Sequence, residues 1–204
     1  MIKDAFSIII PYYEDQTHCE ALLQELLRQK KDFPQTEIII VDDGSKNRNW
    51  LDEYEKQAVI VHQKNAGCPM ARNKGLDLAQ GEYTAFCDCD DMVTPDYLHI
   101  LYERMREGYD WVSYDWRFNN GRRSEQYTPG YRNNAVWAYT YRRELIGDKR
   151  FNPAIKDGSD DIDFVKRVID YRKKYFVDSR VIYIYYWFGN ENSLQHRICR
   201  GEVT

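Results

Sequence analysis

Cysteine, surplus positive charge and long apolar runs are all scarce in this 204-residue sequence. The five cysteines, Cys19, Cys68, Cys87, Cys89 and Cys199, are odd in number and contain no C-x-x-C pair. That argues against a disulfide framework or zinc cage and for reduced thiols in a cytoplasmic setting. Lys and Arg number 29 against 33 Asp and Glu, a formal net charge of -4. Proteins that grip polyphosphate backbones carry the opposite balance, so nucleic acid is disfavoured as a partner. No apolar stretch approaches the roughly 20 residues of a membrane-spanning helix. The opening MIKDAFSIIIPYYED carries acids on both sides of a short apolar run and has the pattern of neither a secretion signal nor a span. Any work on membrane lipids is therefore expected to be peripheral.

What is plentiful is aromatic: 17 Tyr, 5 Trp and 8 Phe. Such side chains suit carbohydrate or nucleobase faces and equally suit half-buried strands, and the second use is expected for most of them.

The first half alternates strand and helix signals. Phe6 to Ile10 and Glu37 to Val41 are β-branched apolar runs, the latter ended by Asp42-Asp43-Gly44-Ser45. Between them, Leu22, Leu23, Leu26 and Leu27 fall at helical spacing in Cys19 to Lys31. Val59 to His62 and Tyr83 to Cys87 read as further strands, with a helix over Pro69 to Ala79 closed by Gly81. This alternation implies an α/β fold with a parallel sheet and helices on both faces, in which ligands bind outside the carboxyl ends of the strands. Three polar strand ends should then converge on one crevice: Pro11 to Asp15, Asp42 to Ser45 and Asp88 to Asp91.

The second half is less regular. Helices are expected over Pro95 to Glu107, with Thr94-Pro95 as its cap, and over Asp160 to Tyr171. Strands are expected over Trp111 to Phe118, near Glu125 to Thr128 and over Val181 to Phe188. Ala138 to Ile146 reads as a strand running into a short helix. There is no internal repeat, low-complexity segment or linker, so residues 1–204 read as one domain with halves 1–115 and 116–204.

AFCDCDDMVTP, Ala85 to Pro95, is the chemically densest stretch. If the strand continues through it, Asp88 and Asp90 project to one side and Cys87 and Cys89 to the other. Two carboxylates at that spacing can hold a divalent cation such as magnesium or manganese, which in turn neutralises a diphosphate. An acidic turn after a strand is the plain alternative. A phosphoryl nucleophile of the haloacid dehalogenase kind fits less well, because Met92 stands where that pattern has Thr or Val and the strand is the fourth.

Five segments occur in order: SIIIPYYED, IIIVDDGS, NAGCPMARNKGL, GEYTAFCDCDD and GSDDIDF. Together with WAYTYRREL at Trp137 to Leu145 they resemble the family 2 glycosyltransferases, which have the GT-A fold, a Rossmann-like mixed sheet flanked by helices. The resemblance implies a donor half at 1–115 and a short acceptor-side lobe at 116–204. It implies that Pro11 and Tyr12 line the nucleobase pocket, with Glu14 in the same segment. Asp43 would accept hydrogen bonds from the base beside Asp42, and Asn65 and Gly67 would shape the turn before a helix carrying Arg72. Arg72 would then lie by the nucleotide, offering charge to a base-reading carboxylate or a phosphate. Asp88 would meet the ribose, Asp90 the Mn2+ or Mg2+ ion, with Cys89 between them in the donor-binding stretch.

Transfer needs a base for the incoming hydroxyl. Asp161 matches the position the resemblance assigns to it, with Asp160 beside it where relatives more often have Glu. Ser159-Asp160-Asp161 as a simple helix cap is the structural alternative. Near the end, YYWFGNENSL has Trp187 and Gly189 where many relatives have phosphate-gripping arginines. His196, as a metal ligand, and Arg197 and Arg200 are the nearest cationic candidates. The implied activity is an inverting, metal-dependent transfer from a nucleotide sugar, with uridine diphosphate sugars the donors the resemblance points to. The acceptor would be the hydroxyl of a glycan, lipid-linked sugar or other molecule. A nucleotidyltransferase of similar fold and a binding module without turnover are the alternatives.

Overall fold

A computed structural model of the protein describes residues 1–123, 135–155 and 158–186. Strand β1 (Ile2–Tyr12) lies at the heart of the sheet, parallel to β2 (Glu37–Asp42) and to β4 (Gly81–Phe86), with β3 (Val59–His62) parallel to β2 on the far side. Successive side chains of a strand face opposite sides of the sheet, yet Ile8, Ile9 and Ile10 are all fully buried. Both faces of β1 are therefore covered, as its unbroken apolar run predicts.

Helix α1 (Gln16–Lys30) opens where the Asp15 carboxylate accepts from the His18 amide at 3.2 Å, and it buries Leu22, Leu23 and Leu26. Helix α2 (Cys68–Leu78) packs on β1 so closely that a Cβ on Gly75 would stand 2.4 Å from Ile9 Cγ2. Helix α3 (Tyr97–Arg106) follows the short strand β5 (Met92–Val93). Its start differs from the Thr94-Pro95 cap expected: Asp96 is the capping residue, with no side-chain cap bond, and the Gln29 side chain accepts from the Leu98 amide at 2.8 Å instead.

Beyond β4 the sheet is no longer parallel. Strand β6 (Trp111–Phe118), β7 (Tyr139–Arg142) and β8 (Tyr175–Tyr185) complete an eight-stranded order β3-β2-β1-β4-β7-β6-β8-β5 among the described residues. Strand β7 runs antiparallel to both β4 and β6, and β5 antiparallel to β8. The parallel pairing read from the first half holds for β1 to β4, the whole sheet is mixed as the family resemblance implies, and strands from both halves of the chain share it. The short helix α4 (Arg143–Ile146) follows β7 directly, and α5 (Asp160–Val168) ends three residues before the expected Tyr171. The strand expected near Glu125 to Thr128 lies outside the described residues.

Candidate functional site

The strand ends meet as expected. Asp42 pairs in register with Tyr12 on one side and His62 on the other, and Cys87 donates its amide to the Ile9 carbonyl at 3.0 Å. The polar segments after β1, β2 and β4 therefore lie side by side at one edge. Asp42 is fully buried there. Its Oδ1 accepts from the Ser45 amide at 2.9 Å, and its Oδ2 is 2.8 Å from His62 Nδ1.

Asp43 clasps the next loop. Its Oδ1 accepts from Gln63 Nε2 at 2.9 Å and the Ala66 amide at 2.8 Å, and its Oδ2 from the Gly67 amide at 2.8 Å. Gly44 makes this contact possible: its φ is 83°, and a Cβ there would sit 2.8 Å from the Asn65 nitrogen. A carboxylate has about four acceptor positions, so one remains on Oδ2. Glu14 (φ 56°) belongs to the same knot. It donates its amide to Ser45 Oγ at 3.0 Å and accepts from the Lys46 amide at 2.8 Å.

Tyr12 departs from expectation. It is 1% exposed, its hydroxyl donates to the Asn47 carbonyl at 3.1 Å and accepts from Trp50 Nε1 at 3.1 Å, and its ring meets Trp50 edge-on. Its ring is core and offers no face to a base. The exposed aromatic at this strand end is Tyr13, at 47%. Nothing in the sequence distinguishes the two neighbours.

Asp88 to Asp91 is a turn, with the Asp91 amide donating to the Asp88 carbonyl at 3.2 Å, because β4 stops at Phe86. The strand alternation expected through Asp90 therefore does not apply. Cys87 is nonetheless buried, and burial pushes its thiol up to about 12; burial likewise holds the half-buried Cys89 thiol well above its ordinary range. The Asp88 amide donates to the Tyr183 hydroxyl at 2.9 Å, and Asp91 Oδ1 accepts from the Tyr186 amide at 2.7 Å. Asp91 is 2% exposed, with Oδ2 lacking a hydrogen-bond partner. Burial, then Asp90 and Asp88, raise its carboxyl well above the ordinary range.

Arg72 ties this turn to the far end of the chain. Nη2 donates to Asp88 Oδ1 at 2.7 Å, while Nη1 donates to Asp160 Oδ2 at 3.0 Å and to Asp161 Oδ1 at 2.5 Å. It is only 4% exposed, lies 5.3 Å from the Phe151 ring centroid and leaves its Nε without a partner. Burial works against its charge, but Asp161, Asp88 and Asp160 hold its pKa well above the ordinary value. The carboxylates given to Arg72 are thus Asp88, Asp160 and Asp161, not the base-reading Asp43, which was one of the two expected partners beside a phosphate.

Two residues that sequence reading passed over hold this arrangement. Asn73 exchanges two hydrogen bonds with the Phe151 backbone, at 2.9 and 2.7 Å, fastening the loop before α5 onto α2. The Val136 amide donates to Asp161 Oδ2 at 3.1 Å. Ser159 makes no side-chain cap bond to α5, so the capping alternative has no such bond behind it. Burial lifts Asp161 from 3.8 to about 7, with Arg72 opposing and Asp88 and Asp160 adding to the rise. Asp160 is raised by burial too, against Arg72.

Three carboxyls, Asp88, Asp160 and Asp161, thus gather around one guanidinium, and Asp90 and Asp91 complete the turn that Asp88 opens. Among the described residues no three His, Cys, Asp or Glu form a metal cage by themselves. His196, expected as a metal ligand beside Asp88 and Asp90, lies outside the described residues, as do Arg197, Arg200, Trp187 and Gly189. The acidic turn does suit a hard divalent cation in an open site, where water and diphosphate oxygens complete the shell. Asp91 Oδ2, which has no hydrogen-bond partner, favours the same occupant.

The profile described as Glycosyl transferase family 2 matches residues 7–169, the span from β1 through α5 that holds these aspartates and Arg72. The chain belongs to that family. EpsH of Bacillus subtilis (strain 168) is 39% identical over 102 residues, covering 48% of this chain and 29% of EpsH. A crystal structure of residues 1-349 of S. aureus TarS with UDP-GlcNAc superposes with a TM-score of 0.76 at 22% identity, over 89% of this chain and 58% of that one. The mannosyltransferase PcManGT of Pyrobaculum calidifontis, with GDP-Man and Mn2+, gives a TM-score of 0.67 at 17% identity, over 92% of this chain and 59% of that one. The chain spans less than two thirds of each. The mixed sheet flanked by helices is the GT-A fold. Among the described residues no helix of this family 2 chain is long and apolar enough to cross a membrane.

Proposed function

We propose that this family 2 chain transfers a sugar from a nucleotide-sugar donor to an acceptor hydroxyl with inversion. The observation that carries the reading is the Arg72 bridge between Asp88 and Asp161, which in this reading are the donor-side carboxylate and the base. The family membership, and the nucleotide sugars bound in TarS and PcManGT, support a donor of this class. The nucleotide lies across the ends of β1, β2 and β4, its base toward Asp43 and the exposed Tyr13. The one acceptor position left on Asp43 suits the single N3–H of uracil better than the paired donors of guanine, which favours a UDP-sugar.

Asp88 holds the ribose, and Asp90, with Asp88 and Asp91 beside it, would hold a divalent ion. When bound, that ion supplies neutralisation of the departing diphosphate. Asp161 Oδ1 or Oδ2 takes the acceptor proton while the acceptor oxygen bonds to the anomeric carbon from the face opposite the nucleotide. The bond from that carbon to the diphosphate oxygen breaks, and the nucleoside diphosphate leaves with its electron pair. A carboxyl poised near 7 is matched to this task at neutral pH.

Incubation with a panel of UDP-sugars and Mn2+, with product analysis, tests the reading. Free UDP identifies glycosyl transfer, whereas pyrophosphate would identify nucleotidyl transfer. Donor binding with no turnover would identify a binding module. Asp161→Asn and Asp90→Asn should each abolish UDP release, and full activity in either sinks the assignment.

A further inference from the structure

Helix α1 opens on an acid–imidazole pair that the proposed reaction leaves unused. Asp15 accepts from the His18 amide, and both of its carboxylate oxygens also stand 2.9 Å from His18 Nδ1. A ring nitrogen beside a carboxylate carries its hydrogen and donates it, so Nδ1 is engaged. The other nitrogen, Nε2, has no partner among the described residues, and 37% of the side chain is exposed.

The pair adjoins the acidic turn. The His18 ring meets Tyr186 edge-on at 5.8 Å, and the Tyr186 amide donates to Asp91 Oδ1 at 2.7 Å. Burial, Cys19 and Asp90 raise the Cys89 thiol, a hydrogen bond with the Tyr13 backbone lowers it, and Asp15 adds to the rise. Tyr13, Cys19 and Asp15 therefore all lie against the middle of the turn. A donor whose base rests at Tyr13 and whose diphosphate reaches Asp90 brings its phosphates alongside this first turn of α1.

Charge balance gives the pair a purpose there. A diphosphate adds at least two negative charges beside the carboxyls of the turn. Arg72 is already divided among Asp88, Asp160 and Asp161, and Arg48 leans toward Asp42 at 3.7 Å. His18 can offer a positive donor at Nε2 without giving up Asp15.

We propose that the Asp15–His18 pair binds the diphosphate of the donor, Asp15 fixing the imidazole while Nε2–H donates to a phosphate oxygen. This rests on the transferase reading above. A ring that donates from both nitrogens is an imidazolium, and a carboxylate on one side with a phosphate on the other favours that form. The contact strengthens as the diphosphate gains negative charge on leaving, which is when stabilising it speeds the reaction.

Calorimetric titration of the full chain with uridine, UDP and inorganic pyrophosphate, in EDTA and again with Mn2+, tests this. His18→Ala should weaken UDP and pyrophosphate about tenfold, the size of one charge-assisted hydrogen bond, and leave uridine unchanged. His18→Arg, which keeps a positive donor, should retain most of the affinity. Asp15→Asn keeps a helix cap and removes the carboxylate behind the ring, so it should weaken UDP by less than His18→Ala does, with little change in melting temperature. Should His18→Ala fail to fold, His18→Gln, of similar reach and no charge, takes its place with the same direction of change. Undiminished UDP affinity in the His18 variant, or an equal loss for uridine and UDP, overturns the proposal and leaves the pair as a cap. Pyrophosphate bound through His18 with neither uridine nor UDP bound would instead sink the donor reading and leave the phosphate contact standing. Wild type that binds none of the three sinks both.

Discussion

The Arg72 guanidinium and the Asp161 carboxylate meet at 2.5 Å across 89 residues of sequence. The same guanidinium reaches Asp88 at 2.7 Å, so one buried cation balances the turn after β4 and the start of α5 together. Arg72→Met leaves Asp88, Asp160 and Asp161 facing one another without it. Breaking such a buried pair costs about 3–5 kcal/mol. Urea unfolding should show that loss, and Arg72→Lys should recover only part of it, because an ammonium cannot span three carboxylates as a planar fork does.

Asp161 gives the pH dependence. Its folded value of about 7 lies above the ordinary 3.8, so the folded chain holds this proton more tightly than the unfolded one. Its contribution to folding stability is therefore greatest below about 4 and is lost as pH rises through about 7. Activity runs the other way. UDP release should climb through a single ionisation near pH 7 and level off above it, in a pH–rate profile taken at saturating donor. A profile already flat at pH 5 would remove Asp161 as the base.

Asp43 holds three donors from Gln63, Ala66 and Gly67. Asp43→Ala strips them all and should cost about 0.5–1.5 kcal/mol for each bond lost, because Ala66 is exposed and Gln63 and Gly67 half-buried, so water takes up part of the loss. Asp43→Asn keeps one acceptor oxygen and should fold better while still weakening UDP binding. Calorimetric titration with UDP on both variants, beside their melting temperatures, separates the two effects.

Gly81 is expected to tolerate no side chain. A Cβ there would stand 2.7 Å from the Ser7 nitrogen and 2.8 Å from the Phe6 carbonyl carbon, both backbone atoms of β1. Rotamer changes cannot relieve that clash. Gly81→Ala should destabilise by about 1–3 kcal/mol or more, seen as a lowered denaturant midpoint with an unchanged slope.

Mn2+ should raise the melting temperature further in the presence of UDP than UDP does alone, since each bound species stabilises the folded chain by mass action. A chelator should reverse that increment, and Asp90→Asn should erase it while leaving much of the shift due to UDP. An equal metal increment in Asp90→Asn would move the ion elsewhere.

Much of this was legible in sequence because it is local. Ile8 to Ile10, the leucines of α1 and the boundaries near Asp42 and Phe86 follow from apolar spacing over a few residues. The strand-to-helix passage at Tyr139–Ile146 did too. The Asp88–Asp91 segment was located correctly but not its shape, because alternation holds only while the strand lasts, and β4 ends at Phe86, two residues before Asp88.

The sequence by itself determined which polar segments end the strands, and through their order the family. Tertiary structure alone decided that Tyr12 is core and Tyr13 exposed, that the Asp88–Asp91 segment is a turn, and that Arg72 joins Asp88 to Asp161. Periodicity encodes neighbours within a turn or a strand. A buried ion pair spanning 89 residues depends on how α2, the Asn73–Phe151 clasp and α5 pack, and no local pattern carries that information.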